Sequence, residues 1–176
     1  MENVVVAPPL SVTASGEHAG FPGTISIGTE AFATVIVELV RSCDWATGVI
    51  LVHGHGGNLA AVQRATAILN SEQRNIASWW PHIPGADAHA GRTETSLMLA
   101  INPNLVRIDK LDVGNVQPMS ELQHDLQTQG VHAVSANGIL GDARSATTQH
   151  GIELLTELTN NLNAFILSAH QQWSRT

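Results

Sequence analysis

The sequence predicts an α/β fold, a layered α/β/α sandwich with a mostly parallel central sheet. Short apolar, β-branched runs alternate along the chain with segments whose apolar residues recur at helical spacing. This alternation is typical of βαβ units, in which helices cover a parallel sheet. The 176 residues are expected to form a single domain over positions 1–176.

Three apolar runs predict the strands. Residues 4–7 form a continuous Val-Val-Val-Ala run ended by Pro8, which indicates a strand covered on both faces. Residues 49–53 form the second predicted strand, and it leads into a glycine-rich turn. Residues 76–80 form the third, ahead of a long loop.

Helical spacing of apolar residues predicts the helices. The first is expected over residues 29–40 with Thr29 as its N-terminal cap, and the second over residues 59–70. A short helix follows over residues 93–99, and another is expected over residues 121–128. The last helix is expected to start near Ser145. Its inward residues are predicted to be Ile152, Leu155, Leu158, Leu162, Phe165, Ile166 and Ala169.

Composition limits the class of partner. The formal net charge of −7 argues against a nucleic-acid partner, and no apolar run has the length of a membrane span. The single cysteine, Cys43, fits a reducing compartment, and the first residues lack a basic signal region, so a cytoplasmic location is expected. Nine histidines against one lysine indicate metal chemistry.

Three loops, residues 15–24, 53–58 and 87–96, carry the chemically notable side chains. The second and third each follow a predicted parallel strand, so their tips are expected at one edge of the sheet. Imidazole and carboxylate groups that converge there could bind a divalent metal. The residues alone therefore favour a metal-dependent hydrolase of α/β type.

Each of these residues also has a purely structural interpretation. His53 and His55 could be packed, hydrogen-bonded histidines at a turn, and Glu94 could cap its own helix. Glu17 and His18 could be solvated loop residues. A nucleotide-binding interpretation of residues 54–57 is weaker, because their spacing is not Gly-x-Gly-x-x-Gly.

Three ordered motifs resemble those of the creatininase family of amidohydrolases. Residues 53–58 read His-Gly-His-Gly-Gly-Asn, residues 89–99 begin His-Ala-Gly-Arg-Thr-Glu, and residues 18–24 fit His-x-x-Phe-x-Gly-Thr. Residues 87–94 and 113–115 resemble the mycofactocin-system branch of that family. The resemblance covers essentially the whole chain. It implies a metal-dependent amide or peptide-bond hydrolase that removes the C-terminal dipeptide of a modified precursor peptide.

The resemblance also implies roles for individual residues. His55 and Glu94 would be metal ligands, and His89 would carry a proton to the leaving nitrogen. A further set would shape the pocket or hold the ligands in place: His18, His53, Gly56, Gly57, Asn58 and Asp87. The implied cofactor is a divalent metal, zinc or iron in the first place and manganese as a further possibility.

Members of the family normally begin with a loop that carries Glu-x-His, followed by an aspartate that bridges two metals. The sequence contains no Glu-x-His, so the chain is expected to be N-terminally truncated relative to the family. An inactive pseudoenzyme or binding module is therefore the alternative function. The resemblance further implies a small-molecule or peptide substrate and a homo-oligomer, commonly a hexamer.

Overall fold

The structure, a computed structural model, describes residues 4–175. Within this range the chain forms two strands and six α-helices. The elements are α1 (Gly28–Arg41), β1 (Val49–Val52), α2 (Leu59–Ser71), β2 (Ile76–Trp79), α3 (Arg92–Ile101), α4 (Met119–Gln129), α5 (Val131–Val134) and α6 (Thr148–Trp173). Short 3₁₀ turns occupy Gly16–His18, Gly56–Asn58, Pro103–Leu105, Ile108–Lys110 and Ala143–Ser145.

The centre of the fold is a βαβ unit. β1 and β2 pair in parallel, with Val49 opposite Ile76 and Val52 opposite Trp79, and α2 makes the crossover between them. Parallel strands need such a long connection, because a tight turn can join only antiparallel neighbours. The predicted strands at residues 49–53 and 76–80 and the helix between them are confirmed.

The core lies where α1 and α2 pack on this unit. Ala61, Ala65 and Leu69 of α2 are fully buried, and Phe32 and Ile36 of α1 pack against the same cluster. Within each helix these side chains recur at four-residue intervals, which places them on one face. Burial of a side chain such as leucine contributes about 1.5–3 kcal/mol, so this face anchors both helices.

A second layer is formed by α3 and α6. The two helices cross closely where Gly151 meets Ser96, since a Cβ at Gly151 would overlap the Ser96 carbonyl. Ser96 is fully buried, and its hydroxyl accepts a hydrogen bond from the Thr147 N–H at 3.1 Å. Small residues at this crossing therefore set the distance between the helices.

The strand predicted at residues 4–7 is wrong. Residues 4–7 are in no strand, and Val5 and Val6 are 74% and 88% exposed. A β-branched run becomes a strand only where another strand pairs with it, and Pro8 and Pro9 donate no backbone hydrogen bond. In residues 4–175 the sheet accordingly consists of two parallel strands.

Two helix starts also differ from the prediction. α1 begins at Gly28, so Thr29 already lies inside the helix and is not its cap. α6 begins at Thr148 rather than near Ser145, because the Thr147 hydroxyl accepts from the His150 N–H at 3.2 Å and caps it. Ile152, predicted to face inward, is 48% exposed, and Leu154 is buried in its place.

Across residues 4–175, no helix combines the length and apolar character needed to cross a membrane.

Candidate metal centre

The structure brings side chains of the three loops together beyond the end of β1. Glu17, His18 and His55 each place one possible ligand atom around a common point. These three atoms lie within 4.8 Å of one another. His55 Nε2 lies 3.1 Å from Glu17 Oε1, and His18 Nε2 lies 3.7 Å from the same oxygen. One carboxylate and two imidazoles thus share a single small volume.

Asn58 and Gly57 hold the first loop against the second. The Asn58 side chain is buried, and its Oδ1 accepts from the Ala14 N–H at 3.3 Å. The Glu17 carboxylate and the Ala14 carbonyl lie directly over Gly57, where a Cβ would overlap both. Glycine at position 57 therefore makes room for the Glu17 carboxylate.

Ser26 closes the neck of the long first loop. Its hydroxyl oxygen accepts from the Ser15 N–H at 2.9 Å and from the Gly28 N–H at 3.2 Å. Beside it, the Ile27 N–H donates to the Thr13 carbonyl at 3.0 Å. The two ends of the loop are thereby tied together, and this limits the movement of Glu17 and His18 between them.

His55 is oriented by the first loop as well as by its own. Its Nε2 donates to the Ala14 carbonyl at 2.9 Å and lies 3.2 Å from the Ser15 hydroxyl. The ring stacks on that of His18 at a centroid distance of 5.9 Å. A cation at this point requires Nε2 to release that proton, as ligation by imidazole does.

The third loop contributes a second pair, His89 and Glu94, beside His18. The His89 and His18 rings are 4.9 Å apart, and His89 Nδ1 lies 3.4 Å from Glu94 Oε2. The hydrogen bond to Glu94 raises the pKa of His89 against the opposing effect of burial. Burial opposes ionisation of Glu94, but hydrogen bonds from His89 and the Ala90 N–H outweigh it and lower its pKa.

His18 lies between the two groups and has a different electrostatic environment. Burial, with the neighbouring His89, lowers its pKa, although Glu17 acts in the opposite sense. The neutral imidazole is the form that binds a metal. The environment of His18 therefore favours the protonation state that a ligand needs.

Asp87 fixes the segment that carries the His89–Glu94 pair. Its carboxylate accepts from the N–H groups of Arg92 and of Thr93, the latter at 3.0 Å, so it caps α3. Gly91 and Gly141 pack against this carboxylate so closely that a Cβ on either would overlap it. An antiparallel bridge to Leu140 holds the same segment from the other side.

The other sequence-predicted site residues lie apart from the common point. The His53 ring packs edge-on against Trp80 at 5.0 Å, and burial lowers its pKa. Its Nδ1 is a buried nitrogen without a hydrogen-bond partner in the described part of the chain. Gly56 borders open space, and Glu94 pairs with His89 rather than joining the three-residue group.

Glu17 and His18 are the members of the group that the sequence analysis does not predict as metal ligands. The sequence analysis assigns His18 to the pocket and interprets Glu17 only as a solvated loop residue, yet the Glu17 side chain is 27% exposed and faces both His18 and His55. An available signal is its position directly before His18, which places a carboxylate beside an imidazole. The three side chains supply the His₂Glu donor set that holds zinc in known hydrolases, so the residues fit a divalent cation.

The fold and site define an α/β protein with a candidate metal centre where the first strand of a parallel pair ends. The family model described as "Creatininase: Creatinine amidohydrolase" matches residues 1–166. The chain belongs to the creatininase family.

Curated relatives agree with this assignment. The chain is 48% identical over 160 residues to a mycofactocin precursor peptide peptidase of Mycolicibacterium smegmatis, covering 90% of this chain and 64% of the relative. It is 44% identical over 158 residues to the protein of that name from Mycobacterium ulcerans, covering 89% and 63%. The chain thus spans somewhat less than two thirds of these relatives.

Solved creatininase structures share the fold. A mutant creatininase of the "Zn-Zn type" superposes with a TM-score of 0.70 at 21% identity, covering 87% of this chain and 69% of that one. "Creatininase Mn" gives a TM-score of 0.59 at 23% identity, covering 78% and 63%. The predicted α/β, creatininase-like fold class is confirmed.

Proposed function

We propose that this protein is a metal-dependent amide or peptide-bond hydrolase that trims the C-terminal dipeptide of a modified precursor peptide. The observation that carries the proposal is the group of Glu17, His18 and His55 beside the His89–Glu94 pair. The names of the 43–48% identical relatives support the peptide substrate. The "Zn-Zn" and "Mn" creatininase structures support a divalent metal.

Glu17, His18 and His55 would hold the cation, with Glu94 close by on the third loop. When bound there, a divalent cation polarises an amide carbonyl and lowers the pKa of an attacking water. The chain's own contribution is to fix this donor set. Asn58 and Gly57 set the position of the Glu17 loop, and Ala14 and Ser15 orient the His55 ring.

His89 is suited to carry a proton to the leaving nitrogen. Its Nδ1 lies 3.4 Å from Glu94 Oε2, and the same carboxylate oxygen accepts from the Ala90 N–H. The raised pKa of His89 keeps a transferable proton on the ring to higher pH than in an ordinary histidine. Glu94 would act by holding that ring in one tautomer and orientation.

The finer properties rest on composition and resemblance. We propose zinc, iron or manganese as the metal, since an imidazole–carboxylate set suits all three. We also propose a cytoplasmic homo-oligomer, a hexamer by resemblance. The net charge of −7 argues against a nucleic-acid partner.

The test is metal content and peptide cleavage measured on the same samples. The purified protein is loaded separately with Zn²⁺, Fe²⁺ and Mn²⁺, and bound metal is measured by mass spectrometry. A modified precursor peptide is then added and its products are identified by mass. We expect bound metal and loss of two C-terminal residues from the peptide.

Variants separate the two roles. His55→Ala and Glu17→Gln should lose metal and activity together, whereas His89→Gln should keep metal and lose activity by about 10²–10⁴-fold. His124→Ala, on the exposed face of α4, is the matched control and should change neither. Metal binding without cleavage would support a binding module instead, and absence of bound metal would refute the metal centre.

A further inference from the structure

Residues 116–138, the α4–α5 segment, leave the body of the fold and return to it at one place. The Asn115 N–H donates to the Ile139 carbonyl at 3.0 Å and ties the two ends of the segment together. The position of the two helices beyond this tie depends on other contacts. Of the helices and 3₁₀ turns in the described part of the chain, the turn at Gly16–His18 is the one that α4 and α5 contact most, apart from each other.

Gly130, between α4 and α5, lies directly against the backbone of Glu17. A Cβ added at Gly130 would be 2.8 Å from the Glu17 carbonyl oxygen and 3.6 Å from the carbonyl carbon. Gly130 also has φ +80° and ψ 175°, a backbone conformation that is essentially restricted to glycine. The Glu17 carboxylate is packed in the same close manner on Gly57. Glu17 is therefore held between two glycines, one at its side chain and one at its backbone.

His132 of α5 supports the part of the same loop that follows His18. A Cβ added at Gly20 would lie 2.8 Å from the His132 Cβ, and the His132 ring packs edge-on against the Phe21 ring at 5.1 Å. The Phe21 N–H donates to the His18 carbonyl at 2.9 Å, which links this contact to His18. A shift of α5 would therefore move the His18 backbone.

Neither Gly130 nor His132 supplies a ligand atom to the candidate metal centre. Within the described residues, the group of possible ligands consists of Glu17, His18 and His55. The His132 side chain is exposed, so its packing on the loop adds little to a hydrophobic core. The contacts of the α4–α5 segment instead converge on the loop that carries two of the three possible ligands.

We propose that the α4–α5 segment sets the position of Glu17 and His18 at the metal centre, with Gly130 and His132 as its positioning residues. The inference rests on the proposed function for the metal itself, whereas the support of the loop is a property of the chain without metal. A functional site requires its side chains to be held within about 0.5 Å of the productive geometry. Metal affinity therefore depends on a segment that contributes no ligand.

Gly130→Ala tests the contact with Glu17. The added Cβ overlaps the Glu17 carbonyl, so we expect the Zn²⁺ affinity of the full chain, measured by calorimetric titration, to fall at least about 10-fold. Gly85→Ala is the matched control, because Gly85 has φ +73° but a Cβ there meets nothing within 4 Å. It introduces backbone strain without the contact and should keep the wild-type affinity. Wild-type affinity in a folded Gly130→Ala variant, or an equal loss in both variants, would overturn the proposal.

A spectroscopic measurement distinguishes positioning from a general loss of stability. The visible absorption of bound Co²⁺ depends on the arrangement of its ligands. We expect the Co²⁺ spectrum of Gly130→Ala to differ from that of the wild type, and the spectrum of Gly85→Ala to match it. A wild-type spectrum in Gly130→Ala would show that its ligands have not moved and would contradict the proposal.

His132 provides a second test, which covers the case in which Gly130→Ala fails to fold. His132→Ala removes the ring that packs on Phe21 and should lower Zn²⁺ affinity by about 3- to 10-fold. His132→Phe keeps an aromatic ring there and should restore the affinity. His124→Ala, on the exposed face of α4, is the control and should change nothing. Equal losses in His132→Ala and His132→Phe would refute the packing role.

NMR signals of the histidine rings, recorded with a chelator present, separate this inference from the proposed function. We expect Gly130→Ala to shift the signals of the His18 ring and Gly85→Ala to leave them unchanged. The same result in a wild type that binds no Zn²⁺ would refute the metal centre and leave the support of the loop established. Unshifted His18 signals in Gly130→Ala, with Zn²⁺ binding by the wild type, would refute the inference and leave the metal centre supported.

Discussion

The two halves of the candidate site are built in different ways. Glu17, His18 and His55 are supported by the βαβ unit, because Asn58 and Gly57 lie where β1 passes into α2 over the main hydrophobic cluster. The His89–Glu94 pair is supported by hydrogen bonds to backbone groups, from the Asp87 cap and the Leu140 bridge.

This difference predicts how each half responds to change. Side-chain packing supports the first half in addition to its hydrogen bonds, so loss of buried volume or addition of atoms near Gly57 should disturb the metal group. Hydrogen bonds hold the second half, so loss of a single acceptor should move His89 while the metal group stays intact. A substitution in the second half should therefore leave metal affinity unchanged, and one in the first half should leave the NMR signals of the His89 ring unchanged.

Leu69→Ala is expected to have the largest effect, a loss of unfolding free energy. Leu69 is fully buried in the cluster under the first half, and such truncations cost about 2–5 kcal/mol of unfolding free energy. Chemical denaturation measures the loss. Leu39→Ala on α1 is the control, because Leu39 is 47% exposed and should cost far less. A loss below about 1 kcal/mol for Leu69→Ala would contradict the role of this cluster.

Gly57→Ala should come next. The added Cβ overlaps the Glu17 carboxylate and the Ala14 carbonyl, so we expect about 1–3 kcal/mol of destabilisation and a loss of metal affinity of at least about 10-fold. Calorimetric titration with Zn²⁺ measures the affinity. Gly56→Ala is the matched control, since a Cβ there meets nothing within 4 Å. Equal affinities in the two variants would show that Glu17 does not bind the metal.

Asp87→Ala should have a smaller and more local effect. Loss of the α3 cap is expected to cost about 1 kcal/mol and to change the environment of the His89 ring without changing metal affinity. NMR signals of the histidine rings report the change, and Asp109→Ala, on an exposed turn, is the control. A drop in metal affinity equal to that of Gly57→Ala would mean that the two halves are not independent.

The smallest effect is expected from pH, at a pair outside both halves. Hydrogen bonds from Arg144 lower the pKa of Asp142 from 3.8 to about 2. A lowered folded-state pKa stabilises the protein above pH 3.8, and this contribution is lost as the pH falls toward 2. Asp142→Asn should therefore be slightly less stable than the wild type above pH 4 and equal to it near pH 2. A stability difference between the wild type and Asp142→Asn that stays constant across this pH range would contradict the pairing.

The sequence predicts the parts of the fold that depend on local pattern. β1, α2, β2 and α3 follow from apolar spacing within each segment, and the glycine-rich turn after β1 identifies one loop of the site. Residues 4–7 have the same apolar character, yet no strand forms there, because pairing depends on a neighbour that the pattern of one segment does not reveal.

Dependence on distant parts of the chain also explains why the sequence analysis does not predict Glu17 as a ligand. The position of Glu17 depends on Gly57, which is 40 positions away, and on the Ala14–Asn58 hydrogen bond, which spans 44. The residue spacing within the first loop gives no indication of either contact. His53 is the converse, a residue that the sequence suggests for the site but that lies outside it. It belongs to the motif at residues 53–58, yet its ring packs against Trp80.

The Ala14–Asn58 hydrogen bond also bears on the order in which the molecule folds. The pairing of β1 with β2 closes within residues 49–79, whereas this bond joins positions 44 residues apart across the whole of α1. Closing a longer segment costs more chain entropy, so the βαβ unit can form before residue 14 docks on it. The turn that carries His55 would then form first. Docking of the loop that carries Glu17 would complete the metal-binding group and give the chain its affinity for a cation.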